Sequence, residues 1–81
     1  MLFDIGQEIR KNRKYRKLTQ AELAKSLGMS RTTISQIESG TVQEIGVRKL
    51  SRLLDFLGLE LRVKIAGQPP TLDELLEEQE R

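Results

Sequence analysis

Arg31, Thr32, Ser35 and Gln36 bring a guanidinium, two hydroxyls and an amide into six consecutive positions, interleaved with Ile34 and Ile37. On a helix, that spacing turns the two isoleucines one way and the polar set another. Such a set donates and accepts hydrogen bonds, but it holds no nucleophile with a neighbouring base. Its chemistry is recognition. Elsewhere the chain has no histidine, no cysteine and no glycine-rich phosphate loop, so we expect no catalytic residues, no metal site and no cofactor.

The polar set needs elements to position it, and the run from Leu18 to Gly40 supplies them. Thr19 with Glu22 fits a capping box that opens one helix, with Ala21, Leu23, Ala24 and Leu27 as its apolar stripe. Gly28 can take the left-handed conformation that ends it. Ser30 is a good N-cap for the helix that carries Arg31 to Gln36. The expected product is two short helices around one tight turn.

This run, Leu-Thr-Gln-Ala-Glu-Leu-Ala, then Gly, then Ser-x-x-x-Ile-Ser-x-Ile-Glu-x-Gly, resembles the helix-turn-helix of lambdoid phage repressors and their bacterial relatives, the Cro/C1 or XRE-type DNA-binding domains. The resemblance covers about Ile5 to Leu57. It implies a mostly α, lambda-repressor-like domain of four to five helices that binds double-stranded DNA and represses transcription. A reader of this kind sets the N-terminal part of its second helix in the major groove, so Arg31, Thr32, Ser35 and Gln36 are expected at base edges. Arg31 can grip guanine O6 and N7 with both arms, or bind only phosphate. Gln36 can pair with adenine or support Gln20. Gln20, Ser30, Thr33, Arg13 and Lys14 are expected at the DNA backbone. The resemblance also pairs Arg13 with Glu38, which acts as structural support by holding the guanidinium beside a phosphate.

A chain of 81 residues is short for a self-sufficient core, and the absence of cysteine and histidine leaves oligomerisation as the expected staple. Charge is distributed unevenly. Residues 1–67 carry 13 basic and 7 acidic side chains, net +6, whereas residues 68–81 carry one basic and five acidic, net −4. A basic body suits nucleic acid; the acidic segment does not belong to that face. No apolar run approaches a membrane span and no signal peptide opens the chain, so the expected location is the cytoplasm with no membrane partner.

The first helix is expected over residues 4–16, capped by Asp4 with Gln7, and with Ile5 and Ile9 facing inward. Its Arg10, Lys11, Arg13, Lys14, Arg16 and Lys17 form either a phosphate-binding surface or a solvated face. Asn12 and Lys17 stand where the resembled family usually has leucine and glycine, which removes core area and weakens the left-handed helix end. Residues 41–46 lack Lys and Arg, so phosphate contact there falls to main-chain N–H groups. Val47 to Leu57 reads as a helix with Val47, Leu50, Leu53, Leu54 and Leu57 on one side.

Beyond Gly58 the period changes to two. Leu59, Leu61, Val63 and Ile65 alternate with charged residues, a half-buried strand pattern. With no second strand in the chain, the expected partner is the same strand of another copy, in an antiparallel ribbon of a homodimer; the bland reading is an exposed coil. Such a dimer would read inverted half-sites roughly 34 Å apart, or a multiple of that. A helical body followed by this run also resembles the HipB-type antitoxins, which implies autoregulation and a HipA-like kinase toxin as a further partner. The expected organisation is a helix-turn-helix domain over 1–58, a dimerisation strand over 59–66, and over 67–81 an acidic tail that either stays flexible or orders on a partner.

Overall fold

The computed structural model describes residues 1–63, 65 and 67. Within them the chain folds into four helices, α1 (Leu2–Tyr15), α2 (Gln20–Leu27), α3 (Arg31–Ser39) and α4 (Val47–Phe56). The mostly helical expectation is met. No strand occurs among the described residues, and Leu59 to Val63 run on as irregular chain. Most of the tail, residues 68–81, lies outside the described residues, as do Lys64 and Ala66 of the expected strand.

The expected caps form at both ends of the central turn. Thr19 Oγ1 accepts from the Glu22 N–H at 3.0 Å while the Glu22 carboxylate accepts from the Thr19 N–H at 3.0 Å. That backbone donor holds the Glu22 carboxyl below its ordinary range, with the Thr19 hydroxyl adding to the effect. Ser30 Oγ accepts from the Thr33 N–H at 3.1 Å, opening α3.

All four helices end the same way: one N–H reaches back five residues and the preceding N–H reaches back three. The residue at the bend is Gly28, Gly40 and Gly58 for α2, α3 and α4, but Lys17 for α1. Lys17 adopts φ 58°, so the chain takes the left-handed bend there despite the side chain. Arg13 Nη1 donates to the Leu18 carbonyl at 2.7 Å across this bend, and Arg16 Nη2 donates to the Leu57 carbonyl at 3.2 Å. These bonds hold the α1 end in place where a glycine is absent.

The core gathers Ile9 of α1, Leu23, Ala24 and Leu27 of α2, Ile34 and Ile37 of α3, and Leu50, Leu53, Leu54 and Leu57 at α4. Both α1 and α2 pack on α3, whose apolar side faces this core.

Three local expectations change. α1 starts at Leu2, so Asp4 lies inside its first turn rather than at the cap, with its carboxylate 3.6 Å from the Met1 amino group. Ala21 is exposed and drops out of the α2 stripe. Val47 is 73% exposed although its period matches the core residues. Helical side chains lean toward the helix N-terminus, so a first-turn residue such as Val47 points past the end of α4, beyond the packed part of the core. Asn12, on the solvent side of the core, is satisfied locally by donating to the Glu8 carbonyl at 2.8 Å.

Candidate nucleic-acid interface

Ile34 and Ile37 are 0% and 4% exposed, and this anchors α3 with its opposite side outward. Arg31, Thr32 and Gln36 are exposed there and Ser35 is half-buried, so the four residues expected at base edges share one outward arc. Ser30 and Thr33 join their hydroxyls at 2.8 Å at the helix start. The side of α3 that is free is polar and carries one cation, Arg31, at its N-terminal end.

At the far end of α3, backbone meets backbone. A Cβ placed on Gly6 of α1 would meet the Ile37 carbonyl oxygen and stand 2.5 Å from the Glu38 carbonyl oxygen. Only glycine lets α1 and α3 approach this closely. At Gly40, whose φ is +74°, a Cβ would lie 2.8 Å from the Phe3 Cα, so the end of α3 is also pressed against the start of α1. Reading the sequence missed Gly6. The signal was present: glycine inside a helix costs about 1 kcal/mol relative to alanine, and its occurrence there points to a close approach.

Between these contacts lies an ion pair. Arg13 Nε donates to Glu38 Oε2 at 2.6 Å and Arg13 Nη2 to Glu38 Oε1 at 3.0 Å, and the two residues are 7% and 3% exposed. Gln20 Nε2 donates to the same carboxylate at 3.2 Å. The pair therefore ties α1, the first turn of α2 and the end of α3 into one unit. Burial makes this geometry costly to break, because either partner left alone is a charge without water. Gln20, expected at a phosphate, is half-buried with its amide directed at Glu38, and Arg13 already has bonds at Nε, Nη1 and Nη2.

Above the pair an open cleft of about 350 Å³ separates α1 from α3. Gln7 and Arg10 line one side, Ser35 and Ser39 the other, Gln20 closes one end and Phe3 is part of the wall. Lys14 is exposed one turn beyond Arg10 on the same stripe of α1. On the other side of the molecule Arg52 Nη2 donates to the Leu27 carbonyl at 3.3 Å, so this α4 cation supports the end of α2. Among the described residues no group of His, Cys, Asp and Glu is placed to hold a metal ion, and no helix is long and apolar enough to cross a membrane.

Two comparisons bear on this geometry. Residues 9–64 match the helix-turn-helix family. The chain is also 42% identical over 59 residues to the ImmF control region 10 kDa protein of Bacillus phage phi105, a match that spans 73% of this chain and 64% of that protein. The family match runs from Ile9 in α1 through both capped helices and the whole of α4, the elements that build the core and present α3: the chain belongs to the helix-turn-helix family.

Proposed function

We propose that this protein is a non-catalytic, sequence-specific regulator of transcription that binds double-stranded DNA with the outward arc of α3. The observation that carries this reading is the arrangement of Arg31, Thr32, Ser35 and Gln36 on the free side of a helix whose other side is locked into the core. A rigid helix with few charges on its free side discriminates by hydrogen bonds, and a bidentate arginine–guanine contact contributes about 1–3 kcal/mol of discrimination. The phage relative, described as a control-region protein, supports a regulatory role.

The protein acts as a homodimer that represses from inverted half-sites. Leu61, Val63 and Ile65 are 50%, 96% and 71% exposed, an apolar row that a second copy would cover by pairing strand with strand. The antitoxin version of this reading, with a HipA-like kinase toxin on the dimer, rests on the resemblance of that row to HipB-type chains. The phage relative supports a stand-alone or phage-type regulator instead. Recovery of a kinase-like protein by pull-down from the source cell supports the antitoxin version; its absence removes it.

The DNA-binding reading is tested by selecting duplexes from a random pool with the full chain, then titrating the selected duplex by fluorescence anisotropy. Arg31→Ala is expected to abolish the preference at one base pair per half-site while retaining residual binding. A pool that yields no enriched sequence overturns the reading.

A further inference from the structure

Arg16, at the end of α1, donates from Nη2 to the Leu57 carbonyl at 3.2 Å, a contact between residues 41 apart in the chain. That carbonyl closes α4, where the aligned peptide dipoles favour a cation. The same nitrogen stands 3.1 Å from where a Cβ would project from Gly58, so the guanidinium lies against the bend itself. Leu59 is fixed as well: its N–H donates to the Leu54 carbonyl at 2.8 Å, and its side chain packs on the core. Past this point the chain leaves the body, and Leu61, Val63 and Ile65 are exposed. Residues 57, 58 and 59 therefore set the direction in which the apolar row departs, and Arg16 refers that direction to α1. The Gly6 contact and the Arg13–Glu38 pair join α1 in turn to α3. A continuous set of short contacts runs from the reading helix to the row.

Resting on the homodimer reading above, we propose that Arg16 is a positioning residue that sets the spacing of the two half-sites. In a dimer joined through the row, the separation and relative rotation of the two α3 helices follow from the angle between each body and its own row. Without the Arg16 bond, the segment after α4 keeps its bend but loses its reference to α1, and the two bodies sample a range of angles. One base pair added between half-sites turns one against the other by about 34° and moves it by about 3.4 Å. A dimer with fixed angles meets that change only by straining protein or DNA, whereas a dimer with loose angles absorbs it. Arg16 thus reads no base. It ranks operators that carry identical half-sites.

The test uses the full chain and a set of duplexes with the same two selected half-sites, the centre lengthened or shortened by one or two base pairs. The wild type is expected to bind one spacer best. Arg16→Ala is expected to bind that duplex more weakly and to compress the ratio to its neighbours several-fold, within a bound of about ten-fold for one charge-assisted hydrogen bond. Affinity for a single half-site and the base preference stay unchanged, which a general loss of stability or of charge would not produce. Lys11→Gln removes an exposed α1 cation with no bond to a helix end among the described residues, and is expected to leave the spacer ratios as they are. Circular dichroism verifies the fold; where Arg16→Ala unfolds, Arg16→Met keeps the aliphatic stem and lacks the donor. Unchanged spacer ratios in a folded Arg16 variant overturn the inference. So does uniform weakening across all spacers with a lower salt slope, which makes Arg16 a phosphate contact. A wild type that sediments as a monomer, or that binds one half-site as well as two, removes the homodimer reading and this inference with it.

Discussion

The stretch from Thr19 to Gly40 and the stretch from Leu59 to Ile65 are both strictly patterned, yet only the first is completed among the described residues. In the first, caps satisfy the backbone over short distances, Thr19 with Glu22 and Ser30 with Thr33, and Ile34 and Ile37 lie in the buried core. In the second, Leu59 is half-buried and its N–H closes the end of α4, but the apolar residues that follow face outward. Period alone does not say whether a pattern finds its partner in the same molecule. A helix satisfies its own backbone, whereas a strand requires a neighbour.

The largest test of self-closure removes one half of the buried pair. Glu38→Ala leaves the Arg13 charge buried and is expected to cost about 3–5 kcal/mol, comparable with the whole stability of so small a domain. Urea titration followed by circular dichroism should find it largely unfolded at 25 °C. Arg13→Met combined with Glu38→Leu should recover much of the loss; a double variant as unstable as Glu38→Ala would show that the pair is indispensable to the fold.

Next in size is the backbone approach of α1 to α3. Gly6→Ala forces a methyl against the Ile37 and Glu38 carbonyls and is expected to cost about 1–3 kcal/mol, despite alanine's better helix propensity. An unchanged melting temperature would mean that α1 and α3 separate freely. Lys17→Gly acts in the opposite direction. Removing the side chain from a left-handed bend should stabilise the body by about 0.5–1 kcal/mol, seen as a higher urea midpoint.

The Glu22 cap gives a smaller, pH-dependent effect. Its folded-state pKa lies below the usual 4.5, so its contribution is complete above that value and is lost as pH falls through the folded pKa. The melting difference between wild type and Glu22→Ala should therefore be present at neutral pH and narrow in acid; a constant difference would contradict the cap. Smallest of all for the body is Val63→Glu. It should change body stability by less than about 0.5 kcal/mol yet eliminate dimers in sedimentation at micromolar concentration. Dimers that persist would break the comparison, because the open stretch would then not be what joins two chains.

Much of the helical body was legible before any coordinates, because caps and glycine bends are local rules. Thr19, Glu22, Gly28 and Ser30 act within a few residues of one another, and propensity and hydrogen bonding decide them without reference to the rest of the molecule. The Arg13–Glu38 pair, 25 residues apart, was anticipated through family resemblance, a route that periodicity does not offer. The start of α1, the exposure of Val47 and the displacement of Ala21 were not legible, since each depends on where the core stops rather than on the pattern that feeds it.

By itself the sequence determined which segments are helical, where α2 and α3 begin and end, and which side of α3 is polar, all properties of neighbours along the chain. Tertiary structure alone decided that Gly6 lets α1 press on the carbonyls of α3, that Lys17 is held in a glycine's conformation, and that Arg10, Gln20 and Ser39 share one cleft. Those outcomes bring together residues far apart in sequence, and only packing, which fixes distance and excludes water, can set them.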